Sequence, residues 1–598
     1  MSGPGMSDTD RSDAPGARRL SAPLVLALVC APWALLVGRF WFITDDAFIS
    51  FRYAKHFAQG LGLRFNPGDH VPVEGYSNFL WVLVAAAVER AGAEVTFWVP
   101  LFSALCGLAL LVLLFRRLRA SAGLAASAWG LLTLACLPPF AMWSTSGLET
   151  MPFALLVYLV FDRLVLRDPV NGPSARDAVV AGLLGIAVAL IRVEGLAWVA
   201  VIVAVAAGGR WLAGGRRLKP YALCAAVALG GYALYFLWRW SYHEALVPNT
   251  MVAKSGLPPS YYVRGLQYVA THFLVFPGSL LLVVASFIGL RRGAALGLPV
   301  VAMAWAFPAY AVVTTGDFMA MSRLLVPGLA FQTILFAWTF DDLRQRTRSA
   351  GPVAALATLV VVLDVLPAWD LHVVPQPVRF AVHFRHGDPN KWNFANERTV
   401  EQLRDGHEAC VKFSELKQWE FQDTNVARGR AIGAALARFA DSRGIESPSM
   451  VRGGIGAFGY YSDIYVHDRY GLVTPWVART EVDPNEPMRW PGHDRHTTIG
   501  EFMDEEPTFV YATLLIGEDQ PLLPRKLVEM GYIIESSGLQ AEYVPDFFRA
   551  EGELWEGTAP YIVLVRRVSG GRANVQRERA LLDRRIGAFR DRGEIETL

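Results

Sequence analysis

The chain has 598 residues, 53% of them hydrophobic, and a mean hydropathy of +0.30, which is too apolar for a water-soluble protein of this length and implies several membrane spans. Its 56 basic and 54 acidic residues leave a formal net charge of +2, so no overall field recruits nucleic acid and none is expected as a partner. Five cysteines, four of them inside apolar runs, give neither a disulfide framework nor a CxxC metal site.

Residues 1–20 are polar and rich in Gly, Pro and Asp, and are expected to form a disordered cytoplasmic tail. The apolar run from Ser21 to Phe42 has the length of a bilayer crossing, ~20 residues, and exceeds a signal-peptide core, so an uncleaved first helix is expected. Further apolar segments recur at 97–115, 121–142, 151–166, 177–191, 194–209, 220–240, 272–290, 296–314, 324–340 and 352–369, which with the first make eleven candidate spans. The run from Phe79 to Val88 is half a span bracketed by Glu74 and Glu89, and is expected to lie on or dip into the outer leaflet.

If Arg18 and Arg19 lie inside and the spans alternate, the cytoplasmic loops receive Arg116 to Arg119, Arg163 to Arg176, Arg210 to Lys219, Arg291-Arg292 and Asp341 to Arg348. Every basic cluster then falls on one side, as the positive-inside rule requires. The expected architecture is an α-helical polytopic membrane protein of the cytoplasmic (inner) membrane, with a core over residues 21–370 and an outer loop at 43–78. Beyond Asp370 no span-length apolar run appears, so residues 371–598 are expected to form a soluble extracytoplasmic α/β domain. Phe509 to Ile516 and Tyr561 to Val565 read as its strands, and Asn425 to Phe439 as a helix.

The residues able to do chemistry fall on the outer face. The first outer loop carries Asp45-Asp46, and neighbouring residues on a helix point in different directions, so one carboxylate can serve as general base while the other holds a backbone, an arginine or a metal. The pair also fits a simple helix cap. Glu149 opens a span, Arg192 and Glu194 sit in an otherwise apolar hairpin, Asn249 and Lys254 lie in a long loop, and Asp317 precedes Arg323. Charges at membrane depth cost about 2.5–3.5 kcal/mol each, so they face a protein cavity or pair with one another. Arg192 and Glu194 therefore fit a buried ion pair as well as a catalytic role, and Glu149 fits an ordinary charge at a helix N-terminus. A phosphate leaving group needs fixed cations, for which Lys254, Arg323 and Arg52 are the candidates. A divalent metal is one option for the acidic side chains, and no other cofactor is implied. Trp392, Trp419, Trp476 and Trp490 fit either sugar stacking or packing.

The segments DDAFISFRYAKHFAQGLGLRFNPGDHVPVEGYSN, TSGLET, RVEG, LVPNTMVAK, GDFM with RLLVP, VHDRYGLVTPWVAR and GHDR occur in that order between about residues 40 and 500. Together they resemble the motif series of the mycobacterial terminal β-(1→2)-arabinofuranosyltransferases and their relatives, within the GT-C class of polyprenyl-phosphate-dependent glycosyltransferases. The resemblance implies a multi-helix core, a polyprenyl-phosphate pentose donor, an Asp-Asp pair near the acceptor, and an outer C-terminal domain. Carried over, the pair is Asp45-Asp46, followed by Glu74, Glu149, Arg192, Glu194, Lys254, Asp317, Arg323, Asp468, His493 and Asp494. The chain departs from the pattern at Tyr76-Ser77-Asn78, at Asn249 and at Arg495, which stands where a lysine is familiar. The implied activity is transfer of a sugar, arabinofuranose in the family pattern, from a polyprenyl-phosphate donor to an envelope glycan or glycolipid acceptor. In the outer domain, His493, Asp494 and Asp468 fit either acceptor contacts or pins that hold that domain to the loops. Two other classes remain open on the residues: a transporter of lipid-linked sugars, and a non-catalytic glycan assembly factor.

Overall fold

The computed structural model describes residues 21–319, 321–369, 418–482, 492–497, 501, 502, 505 and 507–511, with two further strands at 543–548 and 561–566. Residues 1–20 and the tryptophans Trp392 and Trp490 lie outside them. The first apolar run forms helix α1 (Ala22–Arg39), after which the chain turns into α2 (Asp45–Ala58). The Thr44 hydroxyl accepts a bond from Ala47 N at 3.2 Å and caps α2, which has Asp45 and Asp46 in its first turn and Lys55 and His56 in its last. Both ends therefore match the helix dipole.

Helix α3 (Phe79–Arg90) packs along α2, so the half-span run is a real, short helix. Helix α4 (Val95–Ala135) covers two expected spans: it continues through Arg116 to Arg119 and changes direction at Gly123, whose φ of +77° suits a residue without a Cβ. Next come α5 (Pro138–Met142), α6 (Thr150–Phe161), α7 (Ala175–Ile191), α8 (Gly195–Leu212), α9 (Lys219–His243) and α10 (Asn249–Lys254).

The segment 272–290, expected as one span, is broken. Helix α11 (Tyr262–Val275) ends at Phe276, and α12 (Leu281–Leu290) leaves it at 105°. Pro277 cannot continue the helical ladder, and the freed Gly278 N–H donates to the Asp364 carboxylate at 2.7 Å. Helices α13 (Gly297–Val313), α14 (Leu329–Thr347) and α15 (Gly351–Trp369, carrying Asp364) complete the bundle. Among the described residues, five helices are long and apolar enough to cross a membrane, or six if the bent pair is one span, against the eleven expected. The shortfall reflects short elements: α6 has 12 residues, and α13 is a shorter apolar helix of 17.

The two ends of the bundle differ in chemistry. At one end the basic clusters pair among themselves: Arg117 with Asp162 at 2.7 Å, Arg163 and Arg167 with Asp177 at 3.3 and 3.2 Å, and Arg292 with Asp341 at 3.5 Å. At the other end Trp41, Phe97, Trp98, Trp238 and Trp240 are exposed at the tips of α1, α4 and α9, where amphipathic rings suit a membrane–water interface.

The later part of the chain adds α16 (Gln418–Arg443), β1 (Ser449–Arg452), α17 (Gly456–Ser462), β2 (Tyr465–Asp468), β3 (Phe509–Tyr511), β4 (Tyr543–Phe548) and β5 (Tyr561–Arg566). The strands form one mixed sheet in the order β2-β1-β3-β5-β4; β1 is parallel to β2 and β3, and β5 is antiparallel to β3 and β4. Edge strand β2 is covered by the first outer loop, since the Asn66 side-chain amide donates to Val466 O at 3.0 Å and accepts from Val466 N at 3.1 Å.

A tight turn joins α7 to α8. A Cβ on Gly195 would overlap Val188 O and lie 2.8 Å from Ala189 Cα, so only glycine lets the hairpin close. Gly195→Ala is expected to cost at least about 3 kcal/mol, measured as thermal unfolding in detergent, and an unchanged melting temperature would contradict this packing.

Candidate active site

A cavity of about 640 Å³ opens among the loops assigned to the outer side. It is bounded by α2, by Gly75 to Asn78, by Leu148-Glu149, by the hairpin Arg192 to Glu194, by α10 and the loop after it, and by the segment from Tyr310 to Leu324. Leu472 and Gly492 from the later part of the chain close it. Its charged lining is Asp46, Glu149, Glu194 and Asp317 with Arg192, Lys254 and Arg323.

The two adjacent aspartates separate. The Asp45 carboxylate accepts from Gly456 N at 3.1 Å and Ala457 N at 2.9 Å, and its own N–H reaches Gln422 Oε1 at 3.4 Å. Asp45 thus docks α17 and α16 onto α2 and does not line the cavity; of the pair expected to divide between a base and a backbone contact, Asp45 is the one that holds the backbone. Asp46, roughly 100° further round the helix, faces the cavity with no hydrogen-bond partner among the described residues. Burial raises its carboxyl above the ordinary carboxylate value, opposed by the charges of Lys254 and Arg323 and assisted by those of Asp317 and Glu149.

The cations are held differently. Arg323 Nε meets Asp317 Oδ2 at 2.6 Å, and the guanidinium lies over the Trp143 ring at 5.8 Å. The segment leading to it has positive φ at Thr315, Met321 and Ser322, a local strain of the kind that collects at functional sites. His272 Nδ1 meets the Ser322 hydroxyl at 2.9 Å, and Trp143 Nε1 donates to Met321 O at 2.9 Å, so packing and hydrogen bonds keep the strained turn in place. Lys254 has no hydrogen bond or ion pair among the described residues, and its aliphatic stem runs beside Gly492.

One wall is a continuous chain of bonds: Ser50 Oγ to Asn78 Oδ1 at 3.0 Å, Asn78 Nδ2 to Glu149 Oε2 at 2.8 Å, Arg192 Nη1 to Glu149 Oε1 at 2.6 Å, and Arg192 Nε to Glu194 Oε1 at 2.5 Å. Ser50 lies one helical turn after Asp46 on the same face of α2. The chain therefore ties the helix that carries Asp46 to the α7–α8 hairpin. It uses both oxygens of Glu149.

Other expected site residues lie outside the cavity. Arg52 is fully buried, donating to Phe65 O at 2.7 Å and Ile464 O at 2.9 Å; it fastens the first loop to the later part of the chain, which corrects its assignment to a phosphate. Glu74 pairs with Arg239 at 2.5 Å, and its carbonyl accepts from Asn249 N at 3.0 Å. Asn249 donates to Gly471 O at 2.6 Å and Leu472 O at 3.0 Å. Asp468 accepts from the amides of Tyr470, Leu472 and Val473 and so shapes the turn that reaches the cavity. Asp494 forms a two-bond pair with Arg264 at 2.7 and 3.1 Å, and His493 packs edge-on against Phe318 and Tyr470. Trp419 packs edge-on against Phe40, while Trp476 is exposed and donates to Glu505 at 3.0 Å. Among the described residues no group of three or more His, Cys, Asp or Glu could hold a metal ion.

Sequence reasoning did not single out Ser50, Tyr310 or Arg264. Tyr310 lines the cavity from the last turn of α13, and Arg264 is a buried cation in an outer helix. An arginine in the amphipathic run 262–275 was a readable signal, whereas Ser50 and Tyr310 are unremarkable in any linear pattern.

No family model matches the chain, and no curated protein matches it in sequence. A solved structure shares its fold. ArnT from Cupriavidus metallidurans in the apo state superposes with a TM-score of 0.50 at 14% identity, covering 92% of this chain and 99% of that one. The same protein bound to undecaprenyl phosphate gives 0.49 at 13% identity over the same shares. The archaeal oligosaccharyltransferase AglB from Archaeoglobus fulgidus, in complex with an inhibitory peptide and a dolichol-phosphate, gives 0.47 at 11% identity over 88% of this chain and 72% of that one. These neighbours are GT-C glycosyltransferases, and at 14% identity the likeness to apo ArnT is one of fold.

Burial raises both aspartate carboxyls, so what separates the pair in stability is bonding: Asp45 accepts two backbone bonds and Asp46 none among the described residues. A carboxyl that ionises at higher pH in the fold than in the unfolded chain loses stability as pH rises between the two values, and above both its charge is a net cost. Asp46→Asn removes that cost and should hold or raise the melting temperature at pH 7. Asp45→Asn relieves the same buried charge but leaves Gly456 N or Ala457 N without an acceptor, so it should be less stable than Asp46→Asn by about 1–3 kcal/mol. Thermal unfolding of both variants in detergent decides; a stability loss for Asp46→Asn alone would contradict its assignment as the unbonded carboxylate.

Proposed function

We propose that this chain is a membrane glycosyltransferase that moves a sugar from a polyprenyl-phosphate donor to a cell-envelope glycan or lipid acceptor on the extracytoplasmic side. The observation that carries the reading is the meeting, in one cavity among the outer loops, of an unbonded carboxylate, Asp46, with the cations Lys254 and Arg323. A lipid-phosphate donor suits that place: its prenyl tail stays in the bilayer while its head group enters between helix ends. The GT-C fold of the neighbouring structures agrees with this reading. The ordered motifs of the sequence point to arabinofuranose as the sugar.

Asp46 takes the proton of the acceptor hydroxyl as that oxygen attacks the anomeric carbon. The bond from the anomeric carbon to the phosphate oxygen breaks, its electron pair leaves with the lipid phosphate, and Lys254 and Arg323 hold the charge that develops there. Arg323 is kept in place by Asp317, and the bonded wall from Ser50 to Glu194 keeps α2 in register with the cavity. Asp45 takes no part in proton transfer in this scheme.

Purified protein in detergent, supplied with decaprenyl-phosphate arabinofuranose and other polyprenyl-phosphate sugars, should release lipid phosphate and glycosylate an acceptor. Asp46→Asn should lower turnover by about 10² to 10⁴-fold while donor binding persists. Because Asp46 must be ionised and burial raises its carboxyl, wild-type turnover should fall on acidification at a pH above the ordinary aspartate value of about 4. Normal turnover in Asp46→Asn would remove it as the base, and movement of intact lipid-linked sugar without bond cleavage would identify a transporter instead.

The side of the membrane is tested separately. A reporter enzyme fused after Asp370, where the core is expected to end, should be active only outside the cytoplasm. Cytoplasmic activity would invert the scheme.

A further inference from the structure

Within the proposed phosphate-holding role of Lys254 and Arg323, we infer that the segment Gly492–Arg495 of the later chain is a positioning element of the lipid-phosphate subsite. Three of its four consecutive residues touch the two loops that carry those cations, and the fourth, Asp494, holds Arg264 of α11. Gly492, with φ +83°, lies under the Lys254 stem so closely that a Cβ there would sit 3.2 Å from Lys254 Cε. His493 packs edge-on against Phe318, with ring centroids 4.9 Å apart. Asp494 holds Arg264 by two bonds of 2.7 and 3.1 Å. Arg495 Nη2 donates to Ser255 O at 2.9 Å.

Arg264 carries the link across to the second loop. Its Nε donates to Thr315 O at 3.1 Å and its Nη2 to the Thr315 hydroxyl at 2.9 Å. Thr315 leads through Gly316 into Asp317, the carboxylate that fixes Arg323. Both Arg264 and Asp494 are buried, with side chains only 4% and 1% exposed, so the pair is a rigid strut rather than a surface contact screened by water. The same four residues therefore set where Lys254 stands and how far it is from Arg323. An anion bridging two cations is sensitive to that spacing, because charge-assisted bonds need both donors at about 2.7–2.9 Å.

The four residues touch no reacting atom in this scheme; they act through Lys254 and Arg323. The test measures binding of undecaprenyl phosphate to the full-length protein in detergent for wild type, Asp494→Asn, Arg323→Met and the double variant. Asp494→Asn should weaken binding about tenfold, the scale of one charge-assisted bond, and should cost little further once Arg323 is methionine, because Asp494 acts through Arg264 and Thr315 on that arginine. Wild-type affinity in Asp494→Asn, or a loss that adds in full to that of Arg323→Met, overturns the inference. If Asp494→Asn does not fold, Arg495→Met removes the bond to Ser255 O beside Lys254 while keeping the Asp494 and Arg264 side chains, and should weaken binding by a similar factor that is lost in the Lys254→Met background. Failure of the wild-type protein to bind undecaprenyl phosphate defeats the reading of the cavity itself, whereas binding that is blind to Asp494→Asn defeats only the positioning role.

Discussion

The cost of placing charge at the edge of an apolar bundle governs this molecule. Each such group costs about 2.5–3.5 kcal/mol on insertion scales, and removing one partner from a buried pair costs about 3–5 kcal/mol. Most charges on the loops around the cavity therefore find partners, some in their own segment and others on a different loop. Glu149 from the start of α6 meets Arg192 from the end of α7, Glu74 from the first loop meets Arg239 of α9, and Arg264 of α11 meets Asp494 from the later chain. These pairings draw separate helix ends together, and of them the Glu149–Arg192 pair lines the cavity. Asp46 and Lys254 are left without such a partner among the described residues, which is what gives the space a chemistry.

The first outer loop and the later chain form one interlocked unit. Asp45 receives the first amides of α17, Asn66 completes the edge of β2, Arg52 reaches Ile464 O and Asn249 reaches Gly471 and Leu472. An open sheet edge invites pairing with other strands, and here a side-chain amide of the first loop occupies it. The catalytic reading of Asp46 depends on this interlock, because the helix that presents Asp46 is held on one side by Asp45 and on another by the bonded wall from Ser50. Outer residues far along the chain are thereby part of the site without facing a substrate.

Much of the site was legible in the residues themselves. The positions of arginine sorted the loops to two ends, and Asp46, Glu149, Arg192, Glu194, Lys254, Asp317 and Arg323, all singled out by charge at membrane depth, line one cavity. Arg52 was misplaced because its charge carries no sign of direction: it points at two carbonyls rather than at the cavity. The broken helix at Phe276 was missed because the apolar run continues on both sides of Pro277, and hydropathy does not register a bend.

The sequence by itself determined that the chain is apolar enough for a membrane and which residue types are available for chemistry. These follow from transfer free energies, which are nearly additive along a chain and can be summed without knowing the fold. Only the tertiary structure decided which of two adjacent aspartates is a pin and which an open carboxylate, and that the residues around Asp494 bear on Lys254. Those outcomes depend on direction and on partners more than two hundred positions away, such as Arg264 and Asp494. A side chain's bonding is a property of what surrounds it in space, and a linear pattern does not contain that.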